Sequence, residues 1–98
     1  MSRHYVLDEN RVCVPADLMT WARWFESNDH LRIVAQTKAG EADVSTVFIG
    51  LDHAFRDGPR EVFETMVFGG PHDGHQVRYA TWDQAEVGHA ETVRMVGG

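Results

Sequence analysis

Two segments, VSTVFIG (44–50) and EVFETMVF (61–68), constrain this chain more than any other feature. Both are rich in β-branched and aromatic residues, and both carry apolar side chains at odd and even positions alike. Residues of that kind fit the interior of a sheet with both faces covered. The shorter alternating runs HLRIVAQT (30–37) and QVRYA (76–80) supply flanking strands. HYVL (4–7) and RVCV (11–14) frame Asp8-Glu9-Asn10 and predict a small N-terminal hairpin. Asn10 is the residue expected to take the left-handed turn conformation.

Two helices complete the pattern. In ADLMTWARWFES (16–27), Leu18, Trp21, Ala22 and Phe25 recur at helical spacing, with Pro15 at the expected start. Met19 and Trp24 widen that face, and Asp17 lies near the positive end of the helix dipole. The second helix opens on Thr81-Trp82-Asp83-Gln84, a capping-box signature. Trp82, Ala85, His89, Val93 and Val96 then share one face. The expected fold is α+β: an antiparallel β-sheet meander with two α-helices packed on one face, in a single domain spanning residues 1–98. Two short helices cover only one side of strands that are apolar on both, so a second copy is expected on the other, as a homodimer.

Charge and cysteine usage narrow the function classes. Nine basic and fifteen acidic residues give a net charge of −6, which repels phosphate backbones, and no basic run forms a stripe. Non-specific nucleic-acid binding is therefore not expected. A lone cysteine, Cys13, makes neither an internal disulfide nor a cysteine-rich zinc site. No apolar run approaches the ~18 residues of a membrane span, and no signal-peptide pattern opens the sequence. These features predict a cytoplasmic protein with no membrane partner.

The six histidines raise the question of a metal site. His53, His72 and His75, with Asp52 and Asp73, have ligand chemistry. In a meander, however, the loops 51–60 and 69–75 sit at opposite ends of the intervening strand. Its eight residues extend about 26 Å at ~3.3 Å each. His72-x-x-His75 with Asp73 is left as a three-ligand set, and the ordinary reading of GGPHDG is a polar turn fixed by Pro71 and Gly74. His89, on an apolar helix face, reads first as a core histidine with satisfied ring nitrogens. Glu64, in a central strand, needs a partner such as Arg32, His53 or Arg78.

The opposite end of the sheet gathers Asp52, His53, Phe55, Arg56 and Trp82 at a helix N-terminus. A carboxylate, an imidazole, a guanidinium and two aromatic rings there have the chemistry of a site for a small anionic ligand. Those five residues and His89 are the candidate ligand-binding set. A surface loop with a local Asp–Arg pair is the ordinary alternative. The sequence contains no Ser-His-Asp arrangement, no phosphate-cradling glycine loop and no evident carboxylate pair, so no catalytic residue, metal or cofactor is assigned.

The blocks WARWFES, VSTVFIGLDHAF, FETMVFGGPHDG, RYATW and EVGHAE resemble a group of short bacteriophage-encoded proteins of uncharacterised activity. The resemblance spans nearly the whole chain. Asp52, His53, Glu64, Trp82 and His89 match its pattern without assigned roles, and AGEAD is its variable part. It implies a phage origin and action in the cytoplasm of an infected bacterium. Three functions are thus in view: an accessory protein that binds a small ligand, such as a nucleotide-derived host immune signal; a module that docks and inhibits a host protein; and a small metal-dependent hydrolase using His53, His72, His75 or His89.

Overall fold

The computed structural model describes residues 3–52 and 60–97. In order, the elements are β1 (Tyr5–Leu7), β2 (Cys13–Pro15), α1 (Leu18–Ser27), a 3-10 turn (Asp29–Arg32), β3 (Ile33–Ala39), β4 (Ala42–Phe48), β5 (Phe63–Phe68), β6 (Gln76–Tyr79) and α2 (Trp82–Gly97). Strands β3, β4, β5 and β6 form an antiparallel meander, and β1 pairs with β2 in a separate hairpin. The class is α+β, as the sequence predicts.

Alternation sets the inner face. Val44, Thr46 and Phe48 of β4 and Phe63, Thr65 and Val67 of β5 all point inward and are fully buried. The register opposes Thr46 to Thr65 and Phe48 to Phe63. The Phe48 and Phe63 rings lie 5.0 Å apart. Replacing such a ring by alanine costs about 3–5 kcal/mol in a typical core. Helix α1 covers this end through Trp24 and Phe25, whose rings stand 5.8 and 5.9 Å from Phe48. Helix α2 lies along the same face, burying Ala85 and His89. Val93 and Val96 pack beyond them against Ala39, Ala42, Val44 and Val67.

Five local expectations are corrected. Pro15 ends β2 instead of starting a helix; Asp17 caps α1 by accepting the Thr20 N–H, so the helix begins at Leu18. The α1 face toward the core is Trp21, Trp24 and Phe25, while Leu18 and Met19 remain exposed. Strand β3 starts at Ile33 because Asp29–Arg32 close a 3-10 turn, and a bulge between Ile33 and Ala35 resets its alternation. Gly40, with φ +62°, then makes the β3–β4 link a two-residue turn, so both strands extend into the expected loop. Arg11, not Asn10, takes the left-handed position of the first hairpin, at φ +63°.

The outer sheet face is mixed rather than uniformly apolar. Ser45, Val47 and Met66 are half-buried, Phe68 is exposed, and Glu64 pairs with Arg78 at 3.1 Å. Among the described residues no helix is long and apolar enough to cross a membrane.

Candidate functional site

The β1–β2 turn is tied down by one side chain. The Asp8 carboxylate accepts the N–H groups of Asn10 and Val12, at 2.8 and 2.9 Å. The Asp8 backbone carbonyl takes the Arg11 N–H, at 3.0 Å. This leaves Arg11 in the left-handed region, which costs a non-glycine residue roughly 1–2 kcal/mol. The guanidinium of this strained residue stacks over the Trp82 indole, 4.6 Å from the ring centroid. Trp82 is the first residue of α2, and its ring meets the buried Phe63 at 6.1 Å in an edge-on contact. Its buried indole N–H finds no acceptor among the described residues.

A cleft of about 360 Å³ opens beside this stack, with Arg11, Arg60, Trp82, Cys13, Asp83 and Glu86 in its walls. Arg60 lies over the Tyr5 ring at 5.2 Å, which fixes the second guanidinium at the rim. The start of α2 is already capped: Thr81 Oγ1 accepts the Gln84 N–H, and Gln84 Oε1 takes the Ala80 N–H. That capping box was legible in the sequence, with Ala80 rather than Thr81 donating the return bond. On the other flank of the Arg11–Trp82 stack a second depression, about 400 Å³, is walled by Trp24, His30, Leu31 and Ile33. The stack is thus a partition between two concave surfaces, one with two guanidiniums and two carboxylates, the other with Asp8, Glu9 and His30 beside Leu7, Trp24, Leu31 and Ile33.

Cys13 is a free, buried thiol at this end of the core. Burial pushes its thiol up to about 11; the nearby Arg60 charge opposes that and Asp52 adds to it. Both residues therefore act on the ground beneath the cleft. Asp52 also has a structural task, accepting the Glu61 N–H at 3.1 Å and so bracing the end of β5.

The sequence-predicted set divides as follows. Asp52 and Trp82 belong to the same end of the sheet. His53, Phe55 and Arg56 lie outside the described residues. His89, seven residues along α2, is buried in the middle of the core. Its Nδ1 is 2.7 Å from Thr46 Oγ1 and its Nε2 is 2.8 Å from Thr37 Oγ1. Thr46 Oγ1 is 2.6 Å from Thr65 Oγ1, which accepts the Tyr79 hydroxyl at 3.0 Å. Both ring nitrogens are satisfied, and burial holds the imidazole below its usual range, favouring the neutral form.

The far end of β5 is built as a turn. Asp73 accepts the Gly69 N–H at 2.6 Å, and Gly69, Gly70 and Gly74 all have positive φ. His72 and His75 are exposed on it. The unbroken six-residue β5 separates this turn from the Asp52 end by about 20 Å. Among the described residues no group of three or more metal-ligating side chains comes together.

Sequence reasoning missed Arg11 and Arg60. Arg11 sits in a turn whose hairpin is held against the end of β4 by the bridge His4–Leu51, the Tyr5 N–H bond to Gly50 and the Asp52 N–H bond to Arg3. No local signal encodes such a long-range placement. Comparison of the chain with protein-family models, curated proteins and solved structures gives no match.

Proposed function

We propose that this chain is a non-enzymatic accessory protein that binds a small anionic ligand carrying a flat ring, in the cleft between the β1–β2 turn and the start of α2. The observation that carries the reading is the Arg11–Trp82 stack, held at the cost of a left-handed arginine and joined at the rim by Arg60. Strain of that kind persists where the surrounding structure enforces it, and it concentrates at binding sites. An indole face is a stacking surface for a heterocycle, and paired guanidiniums suit phosphate or carboxylate. Asp83 and Glu86 are acceptors for exocyclic amino groups. A nucleotide combines all three features.

In the setting that the sequence resemblance implies, the ligand is a nucleotide-derived signal of the infected bacterium, and the protein removes it stoichiometrically in the cytoplasm. The reading includes a homodimer. Its support is the open sheet face, where Phe68 is 54% exposed beside Met66 and Val47.

Isothermal titration against mononucleotides, dinucleotides and cyclic nucleotides tests the proposal. The expected result is saturable binding that weakens with salt and falls at least about tenfold in Arg60→Gln. Absence of heat and of thermal stabilisation with every compound at millimolar concentration would overturn it.

A further inference from the structure

Each strand of the meander contributes one hydroxyl to a line that crosses the core: Thr37 from β3, Thr46 from β4, Thr65 from β5 and Tyr79 from β6, with His89 of α2 inserted between the first two. The last link exists because position 88 is glycine. A Cβ there would stand 2.2 Å from the Tyr79 hydroxyl, so only glycine lets the ring cross α2 and reach Thr65.

Donor counting gives the line a direction. Tyr79 donates to Thr65. The single Thr65 proton then goes to Thr46, and that of Thr46 to His89 Nδ1. The imidazole carries its proton on Nε2 and donates to Thr37. One orientation satisfies every link and leaves neither the Thr46 nor the Thr65 proton without an acceptor in the line. A protonated imidazole is a donor at both nitrogens, which Thr46 meets only by accepting. Thr46 then donates to Thr65, and Thr65 to Tyr79.

We propose that this line is a reversible relay: protonation of His89 turns round the Thr46, Thr65 and Tyr79 hydroxyls together, and redirects the Tyr79 O–H from the core into the groove between β6 and α2. That groove, about 370 Å³, is lined by His75, Tyr79 and Glu91 among others. It gains a hydrogen-bond donor in acid and loses it at neutral pH. Among the described residues, no fixed charge on the inner faces of the strands competes for control of His89. Lys38, Asp43, Glu64 and Arg78 alternate onto the opposite sheet face, and Tyr79 is the titratable group that the inner faces of the strands direct toward this line. On α2 itself, Glu86, Glu91 and Arg94 are exposed. Burial is the cause of the lowered proton affinity, so the reversal falls below the usual histidine midpoint of 6.5.

Nitrogen-15 NMR of the His89 ring, in the unaltered protein and in Tyr79→Phe, tests the relay. The unaltered protein should show the Nε2–H tautomer at neutral pH. Removing the Tyr79 oxygen leaves the neutral line directed as before, but strands the Thr65 proton in the reversed one. The His89 midpoint should therefore fall by about one pH unit, tenfold in proton affinity, through three intervening hydrogen bonds. A histidine held only by its two immediate neighbours would titrate identically in both proteins. An unchanged midpoint, or an Nδ1–H tautomer in the unaltered protein, overturns the proposal.

Discussion

Gly88→Ala should change sign with its neighbour. In a helix interior, alanine in place of glycine stabilises by about 1 kcal/mol. At position 88 the new Cβ would lie 2.2 Å from Tyr79 Cε1 and Oη, and 2.3 Å from Cζ, far inside any real contact. The ring must move. It then forfeits its bond to Thr65, worth about 1 kcal/mol, and repacks at a cost of about 1–3 kcal/mol. The net effect is a loss of about 1–3 kcal/mol. All three clashing atoms belong to the distal ring, which valine lacks. In a Tyr79→Val background only the helix preference remains, so the same substitution should stabilise by about 1 kcal/mol. Urea unfolding of the four proteins, followed by circular dichroism, measures the cycle. Stabilisation by Gly88→Ala in both backgrounds would show that Tyr79 does not lie across α2, and the relay would lose its outer end.

Arg11→Asn exchanges a strained arginine for a residue that tolerates the left-handed region. The relief of about 1 kcal/mol offsets the lost stack of about 0.5–1 kcal/mol, so urea midpoints should barely move while ligand affinity drops. A strong loss of stability would assign the stack to folding instead. Cys13 should resist alkylation at pH 8 in the folded state, because its thiol is raised to about 11, and react promptly in denaturant; equal rates would refute its burial. His89 takes up its proton less readily when folded. The unfolded chain therefore gains a proton near pH 6.5 that the folded one refuses, and stability should fall as the pH drops below that value. His89→Gln should flatten the profile between pH 5 and 7, and an unaltered slope would point to another group. Sedimentation at high concentration should give a dimer that Phe68→Lys dissociates; a monomeric parent protein would remove the second copy from the account.

The meander, the apolar stripe of α2 and the glycine-rich turn were legible because each follows from local periodicity or turn chemistry. The β4 and β5 patterns set which residues face inward, and Thr81 with Gln84 marked the start of α2. The bulge at Ile33–Ala35 was not legible, since a one-residue slip in register leaves no local trace. The left-handed Arg11 was hidden for a related reason. Asn10 has the better turn propensity, but the Asp8 carboxylate ties down the N–H groups on either side of Arg11. At the candidate site, topology alone brought Asp52 and Trp82 to one end. Arg11 and Arg60 depend on how the first hairpin docks, a property of the whole fold. His89 was recognisable as a core histidine from its place on α2, whereas its line of threonines depends on the register between strands.

The indole N–H resonances of Trp21, Trp24 and Trp82 give the most direct test of the cleft. Titration of the full chain with a bound nucleotide, followed by proton–nitrogen NMR, should shift the Trp82 signal progressively to saturation and leave that of Trp21 in place. A Trp82 signal that stays fixed while ligand saturates the protein would contradict binding on the Arg11–Trp82 stack.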